Sequence, residues 1–405
     1  MHVPEQLDER QLETLKRLVC IPSPSGGEQP ILEFIETRCQ QFEGCRLVRQ
    51  GQDRQNLIVR KGTGSEFGLL LYVHVDTVPR KEGWENNYNL QRDIGADRLR
   101  GVGVYDMKSQ VMIALDILER ATIPDGVTLT VVFSSAEESN SAGVQALVDG
   151  EGERLKNGCH LILSSDITTY RGYECDAPKS VVIARRGNLK TAVTVSVPEG
   201  HGYNDEAPNA PDAAREMQNH FFEQFARAER TDKHCGSECL RTTRLHAEDS
   251  DYASLTAEAS WGFRQWLVPE STVEEAFRWQ QDCAARLAET KNWARLGIQY
   301  TLVQRSGSMR SYNPFRTSPQ DPLLQRIVLP SVDRVYGSHQ LAGGLSTADT
   351  NVLADLGIPI AEVAPIGGDA HRGTEWVSER SVARLIAFQH DLITHQIPFY
   401  LRERK

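Results

Sequence analysis

The sequence predicts an α/β protein in which a mainly parallel sheet, sandwiched by helices, is interrupted by a smaller α+β domain. Three observations carry this. Nearly continuous apolar runs, such as 67–75, alternate with helical patterns, as strands buried on both faces do. From about residue 186 the strands alternate with period two, as half-exposed antiparallel strands do. After about residue 305 the first style returns.

Taken in order, residues 5–20 and 27–43 space their apolar side chains as helices, with Pro22, Pro24 and two glycines between them. Strands follow at 57–60 and 67–75, then a helix over 106–120 and a Val- and Thr-rich strand over 127–134. A helix starts at 141, and 160–164 is again a buried strand. In the insertion, 190–197 and 257–267 read as alternating strands, and 210–230 and 273–291 as helices. Residues 323–329 are helical, 353–364 turn from helix to strand, and 378–395 form a final helix. This places one domain over 1–185 with 299–405 and the inserted domain over 186–298. No internal repeat or low-complexity stretch is present.

Composition narrows the function classes. The 405 residues are 40% hydrophobic and 25% charged, ordinary values for a globular chain with a sizeable core. The net charge of −10, with Lys and Arg dispersed, argues against a nucleic-acid or anionic-membrane partner. No apolar run approaches the roughly 18 residues that span a bilayer, and the charged, amphipathic N-terminus has no secretory core, so the expected location is cytoplasmic. The eight cysteines are scattered and expected as reduced thiols. The cluster His234-Cys235-Gly-Ser-Glu-Cys239 has poor zinc spacing and reads as a solvent-facing loop or helix start.

Five short segments carry chemistry. In His74-Val-Asp76, at the end of a buried strand, the two side chains point the same way, so a carboxylate can fix the tautomer of a metal-binding imidazole. Alone, the pair is equally a strand-end histidine bonded to backbone. Gly101-Val-Gly-Val-Tyr-Asp106 brings an Asp to the start of an apolar helix, where alone it reads as an N-cap. It is no dinucleotide fingerprint, since the third Gly is missing and no strand directly precedes it. Glu137-Glu138 follows a buried strand; such like charges near a core need a cation or proton, though alone the pair equally reads as a surface pair at a helix start. Asp166 follows the strand at 161–164, and Gly367-Gly-Asp-Ala-His371-Arg-Gly-Thr-Glu375 follows the strand at 358–364. Together these give two His and three carboxylates at strand ends, where open parallel sheets bind ligands, plus an adjacent free carboxylate to act as a base. No G-x-S-x-G nucleophile motif competes.

In order and separation these motifs resemble the co-catalytic zinc peptidases and deacylases, the group of acetylornithine deacetylase, succinyl-diaminopimelate desuccinylase, aminoacylase and glutamate carboxypeptidase. The resemblance runs from about residue 10 to 400. It implies two divalent metal ions, with Zn²⁺ the default and Co²⁺ or Mn²⁺ also suited to N/O ligands. It makes His74 and His371 ligands of separate metals, Asp106 the bridge, and Glu138 and Asp166 the completing ligands. Glu137 becomes the general acid/base, and Asp76 the residue that orients His74. The insertion resembles a lid and dimerisation domain, entered at Arg185-Arg-Gly-Asn-Leu, which implies a homodimer. Within it, His201 matches a histidine that reaches the partner's active site, and Arg264 an arginine that meets the substrate carboxylate. Gly343, Gly344 and Asp349 lie in segments resembling the Gly-rich substrate loop. The departures are Ser109 for a usual Gly, Ser139-Asn140 for a smaller turn, Gly-Tyr after His201, and Gly262 where an Asp is common. The implied activity is hydrolysis of an amide bond in an N-acyl amino acid or dipeptide with a free carboxylate. The alternatives are a di-metal aminopeptidase and a non-catalytic binding relative.

Overall fold

The computed structural model describes residues 3–51, 56–79, 88–167, 180–198, 207–228, 230–247, 256–305 and 311–404. The chain divides into two compact units, Met1–Ala184 with Arg316–Lys405, and Arg185–Phe315.

The first unit is built on a nine-stranded sheet. Its centre is parallel. Phe67–His74 pairs on one side with Val127–Ser134 and on the other with Leu161–Ser164, which in turn pairs with Ile360–Glu362. The flanks are antiparallel: Asn56–Lys61 against Val127–Ser134, Cys45–Gln50 outside it, and Ser180–Arg185 beside Ile360–Glu362. All eight residues of Phe67–His74 are buried, as a strand covered on both faces requires. The helix Ser109–Arg120 is buried at ten of its twelve positions, too many for a surface helix with one apolar stripe. It lies against this strand and is itself covered by Glu9–Cys20, Gln29–Cys39 and Glu379–Asp391. Asp8 caps the first of these in a capping box with Gln11. Gly143, in the first turn of Ala142–Gly158, lets that helix meet the end of a central strand; a Cβ there would lie 2.3 Å from the Ser135 carbonyl oxygen.

The parallel register sets the level at which each strand ends. His74 pairs with Ser134, and Tyr72 with both Val132 and Ser164. The segments beginning at Val75, Ser135 and Ser165 therefore leave the sheet along one edge. A small four-stranded antiparallel sheet, in the order Gly367–Gly368, Trp376–Ser378, Arg98–Arg100, Gln91–Asp93, holds two more loops. The strand Arg98–Arg100 thus runs directly into Gly101, where the sequence pattern shows no strand. Three residues are too few for a period to show.

The second unit is a four-stranded antiparallel sheet in the order Cys239–Ala247, Glu258–Leu267, Gly187–Ser196, Gln299–Gln304. Helices Ala210–Ala226 and Val273–Thr290 pack on it. Trp261 and Phe263, two apart on one strand, stack at 4.6 Å, and Phe221 meets both edge-on. The chain stays in this unit to Phe315, past the expected boundary at 298, because Gln299–Gln304 pairs with Gly187–Ser196. The cysteine cluster forms a tight hairpin, Thr231–Asp232 with Gly236–Ser237, in which Asp232 accepts the amides of His234 and Cys235. Cys235 is fully buried, Ser237 is exposed and Cys239 opens an edge strand, so the segment is a partly exposed hairpin and not a helix start. All seven cysteines among the described residues are free thiols. Among the described residues no helix is long and apolar enough to cross a membrane.

Candidate metal centre

His74 is the last residue of its strand, and its ring is 1% exposed. Nδ1 lies 3.1 Å from the Asp76 carbonyl oxygen and 3.4 Å from Asp76 Oδ1. Asp76 does more than orient this ring. Its Oδ1 accepts the amide of Glu137 at 3.1 Å, and its Oδ2 accepts the amide of Glu138 at 3.0 Å and the Ser25 hydroxyl at 2.7 Å. One buried aspartate therefore holds the histidine, through its carbonyl oxygen, together with the adjoining Glu-Glu turn, through its carboxylate. Ser25 arrives because Ser23–Ser25 runs beside Thr77, with the Thr77 amide donating to Ser23 and the Ser25 amide to Thr77.

Asp106 sits in a non-helical bend at φ −122°, ψ 88°, just ahead of Ser109–Arg120, so it does not cap that helix. Its two oxygens face different histidines: Oδ1 is 3.1 Å from His74 Nε2, and Oδ2 is 3.0 Å from His371 Nε2. His371 Nε2 is also 2.9 Å from Glu138 Oε1. Two ligand sets result, His74–Asp106–Asp166 and Asp106–Glu138–His371, each with its donor atoms within 4.8 Å of one another. Two donors on one tetrahedral zinc ion, at about 2.0–2.2 Å each, stand about 3.3–3.6 Å apart, so both sets can close on an ion after small rotations. The donor chemistry, one imidazole and two carboxylates per set, suits a first-row divalent metal. Ala136 and His371, at φ 63° and 64°, are left-handed without being glycine, a conformation that clusters at functional sites.

Electrostatics point the same way. Burial, then the charge of Asp166, pushes the Glu137 carboxyl well above its ordinary range. Burial, then the charge of Asp106, pushes Glu138 up to about 7. Burial alone carries most of the rise of Asp349 to about 6. So many acids crowded together call for cations. Hydrogen bonds to Asp106 and Glu138 hold the His371 imidazole protonated, up to about 10. A metal ligand must be neutral, so metal and proton compete here. Metal uptake near pH 7.5 is expected to release about one proton or more, and affinity to rise with pH. Calorimetric titrations in buffers of different ionisation enthalpy read this directly; a heat that does not change with the buffer would contradict it.

The site has members that the sequence did not announce. The Tyr72 hydroxyl donates to Asp349 Oδ2 at 2.5 Å, from the strand face that also carries His74. Glu375, 3% exposed, accepts the amides of Gly103, Tyr105 and Asp106 at 2.9, 2.8 and 3.0 Å. Lys108 is buried beside it and donates to the Ile21 carbonyl at 2.8 Å; burial lowers its pKa to about 7 against the pull of Glu375. No spacing rule signals a carboxylate that serves amides some 270 positions away.

Of the residues singled out from sequence, His74, Asp76, Asp106, Glu137, Glu138, Asp166 and His371 come together at one edge of the first unit's sheet. Asp349 is buried with them, under the charge of Asp76 and bonded to Tyr72. Gly343 and Gly344 are buried at the end of the strand Gln340–Gly344. Arg264 lies in the second unit, its guanidinium 5.1 Å from the centre of the Trp266 ring and its Nε without a hydrogen-bond partner among the described residues. His201 lies outside the described residues.

Comparison with known proteins places the chain in a family. A family model described as Peptidase family M20/M25/M40 matches residues 70–395. Succinyl-diaminopimelate desuccinylase of Wolinella succinogenes is 25% identical over 380 residues, covering 92% of this chain and 96% of that protein. The protein of the same name from Nitratiruptor sp. is 22% identical over 382 residues, covering 92% and 96%. Among solved structures, aminopeptidase PepT from Bacillus cereus superposes with a TM-score of 0.73 at 15% identity, covering 96% and 99%. A dinuclear metal-binding peptidase from Bacillus subtilis superposes at 0.67 and 13% identity, covering 95% and 96%.

Proposed function

The chain belongs to peptidase family M20/M25/M40 and is a metal-dependent hydrolase, and from that premise we propose that it cleaves the amide bond of an N-acyl amino acid or dipeptide-like substrate bearing a free carboxylate. The observation that carries this reading is Asp106, whose two oxygens face His74 and His371 while Glu137 adjoins the ligand Glu138. His74, Asp106 and Asp166 would hold one divalent ion, and Asp106, Glu138 and His371 the other, with zinc the metal that the donors suit best.

Divalent ions held there would lower the pKa of the attacking water toward about 7 and polarise the scissile carbonyl. Glu137 takes the proton of that water as its oxygen bonds to the carbonyl carbon. Glu137 then gives the proton to the departing nitrogen as the carbon–nitrogen bond breaks, so amide plus water becomes acid plus amine. Asp76 keeps Glu137, Glu138 and His74 in register through its bonds to the two amides and its contact with the imidazole. Following the family resemblance, Arg264 takes the substrate carboxylate, and Gly343, Gly344 and Asp349 border the substrate. His201 assists the oxyanion from a partner subunit, in a homodimer formed through the second unit.

The test is cleavage of a panel of N-succinyl, N-acetyl and other N-acyl amino acids, dipeptides and tripeptides. The protein is stripped of metal, then reloaded with Zn²⁺, Co²⁺ or Mn²⁺. Cleavage restored by metal, and lost when the substrate carboxylate is amidated, is the expected result. Cleavage that needs a free amine instead would favour the aminopeptidase alternative. Two bound ions with no cleavage across the panel would favour the non-catalytic one.

A further inference from the structure

We propose that Glu375 is a positioning residue for the bridging carboxylate of Asp106, acting through the backbone of the loop 101–106; the inference rests on the di-metal reading of the site. An ionised carboxylate is an acceptor with about four lone-pair sites. Three are taken here by amides from four consecutive residues: Gly103 on Oε2, and Tyr105 and Asp106 on Oε1. Such charge-assisted bonds make a buried acid tolerable, and they hold only while the loop stays curled around it. The curl depends on Gly103, at φ 72°, where a Cβ would stand 2.7 Å from Thr77 Cγ2.

Glu375 is also tied to the second histidine. His371 lies four residues earlier in the same loop, and the Glu375 amide closes that loop on the Arg372 carbonyl at 3.2 Å. Immediately after Glu375, Trp376 pairs with Arg100 on the strand that leads into 101–106. Both loops therefore leave one small sheet side by side, and Glu375 spans the gap between them. It fixes where Asp106 begins, relative to the turn that carries His371. Its carboxylate bonds to the amides of the loop and not to the histidines or Glu138, so its effect passes through Asp106. In Glu375→Gln the side-chain amide has one acceptor oxygen, and its NH₂ group would face a backbone N–H. The loop must then relax, and Asp106 with it. Because Asp106 serves both ligand sets, both ions should be affected.

The experiment is titration of the metal-free full chain with Zn²⁺ against a chromophoric chelator, for wild type, Glu375→Gln, Glu375→Asp and the exposed control Arg372→Ala. Thermal melting of each metal-free protein is run alongside. The expected result is binding of both ions weakened about 10- to 100-fold in Glu375→Gln, the range for partners that orient metal ligands. Glu375→Asp, which keeps both oxygens, should lose less, and Arg372→Ala should match wild type. Wild-type affinity at both sites in Glu375→Gln, with or without a lowered melting temperature, would overturn the inference. So would weakening at the His371 site alone, which would mean that only that loop was disturbed. If neither Glu375 variant folds, amide exchange on the metal-free wild type decides: Gly103, Tyr105 and Asp106 must be protected, and fast exchange there overturns the proposal. A wild-type chain that takes up fewer than two ions would overturn the di-metal reading and this inference with it, and is recognised because the wild type itself fails.

Discussion

Glu137→Gln lowers kcat by about 10²- to 10⁴-fold while both metal ions stay bound, the range for losing a positioned general acid/base. Glu137 is no member of either ligand set, so its removal leaves the donors intact. Its backbone is held by Asp76 through the amide, which a Gln keeps. Gln keeps the size of Glu137 and brings no charge beside Asp166, Asp349 and Glu138, so the variant should be no less stable than the wild type. KM should change little, because the residue acts on the proton of the water. The measurements are steady-state kinetics on the best panel substrate and metal content by elemental analysis. Full activity at full metal occupancy would remove Glu137 from the mechanism.

Asp106→Ala should abolish activity altogether. Unlike Glu137, Asp106 contributes to both ligand sets, and its two oxygens answer two histidines. Losing it leaves His74 with Asp166, and His371 with Glu138, two ligands each. The water would then return toward its bulk pKa of about 15.7 from about 7, which takes away nearly all nucleophile at neutral pH. The same change leaves several acids crowded without compensation, so the variant should also lose the thermal stabilisation that added metal gives the wild type. Glu138→Ala and Asp166→Ala each remove a ligand from one set only, and should leave one ion bound. Two tightly bound ions in Asp106→Ala would show that it is not the bridge.

The central architecture was legible because burial on both faces leaves a mark in one dimension. The runs that form Phe67–His74, Val127–Ser134 and Leu161–Ser164 are mostly apolar, and the candidate ligands stand at or within four residues of their ends. Strands with weaker marks escaped. Cys239–Ala247 is exposed along most of its length and shows no period, and Cys45–Gln50 is an edge strand in which only half the residues are apolar. The insertion runs past 298 because Gln299–Gln304 is defined by its partner strand and not by its own composition.

The candidate centre divides in the same way. The sequence by itself determined which chemical groups are present and at which strand ends: His74 and Asp76, the Glu137-Glu138 pair, and Asp166. Only the tertiary structure decided how they are held. It brings His371 to Asp106 across 265 positions, turns Asp76 toward two amides as well as an imidazole, sets Tyr72 against Asp349, and gives Glu375 to the loop of Asp106. The reason is that a side chain writes its own burial and periodicity into the sequence. A hydrogen bond to a distant backbone amide depends on where another loop happens to be, and every residue except proline offers that amide alike.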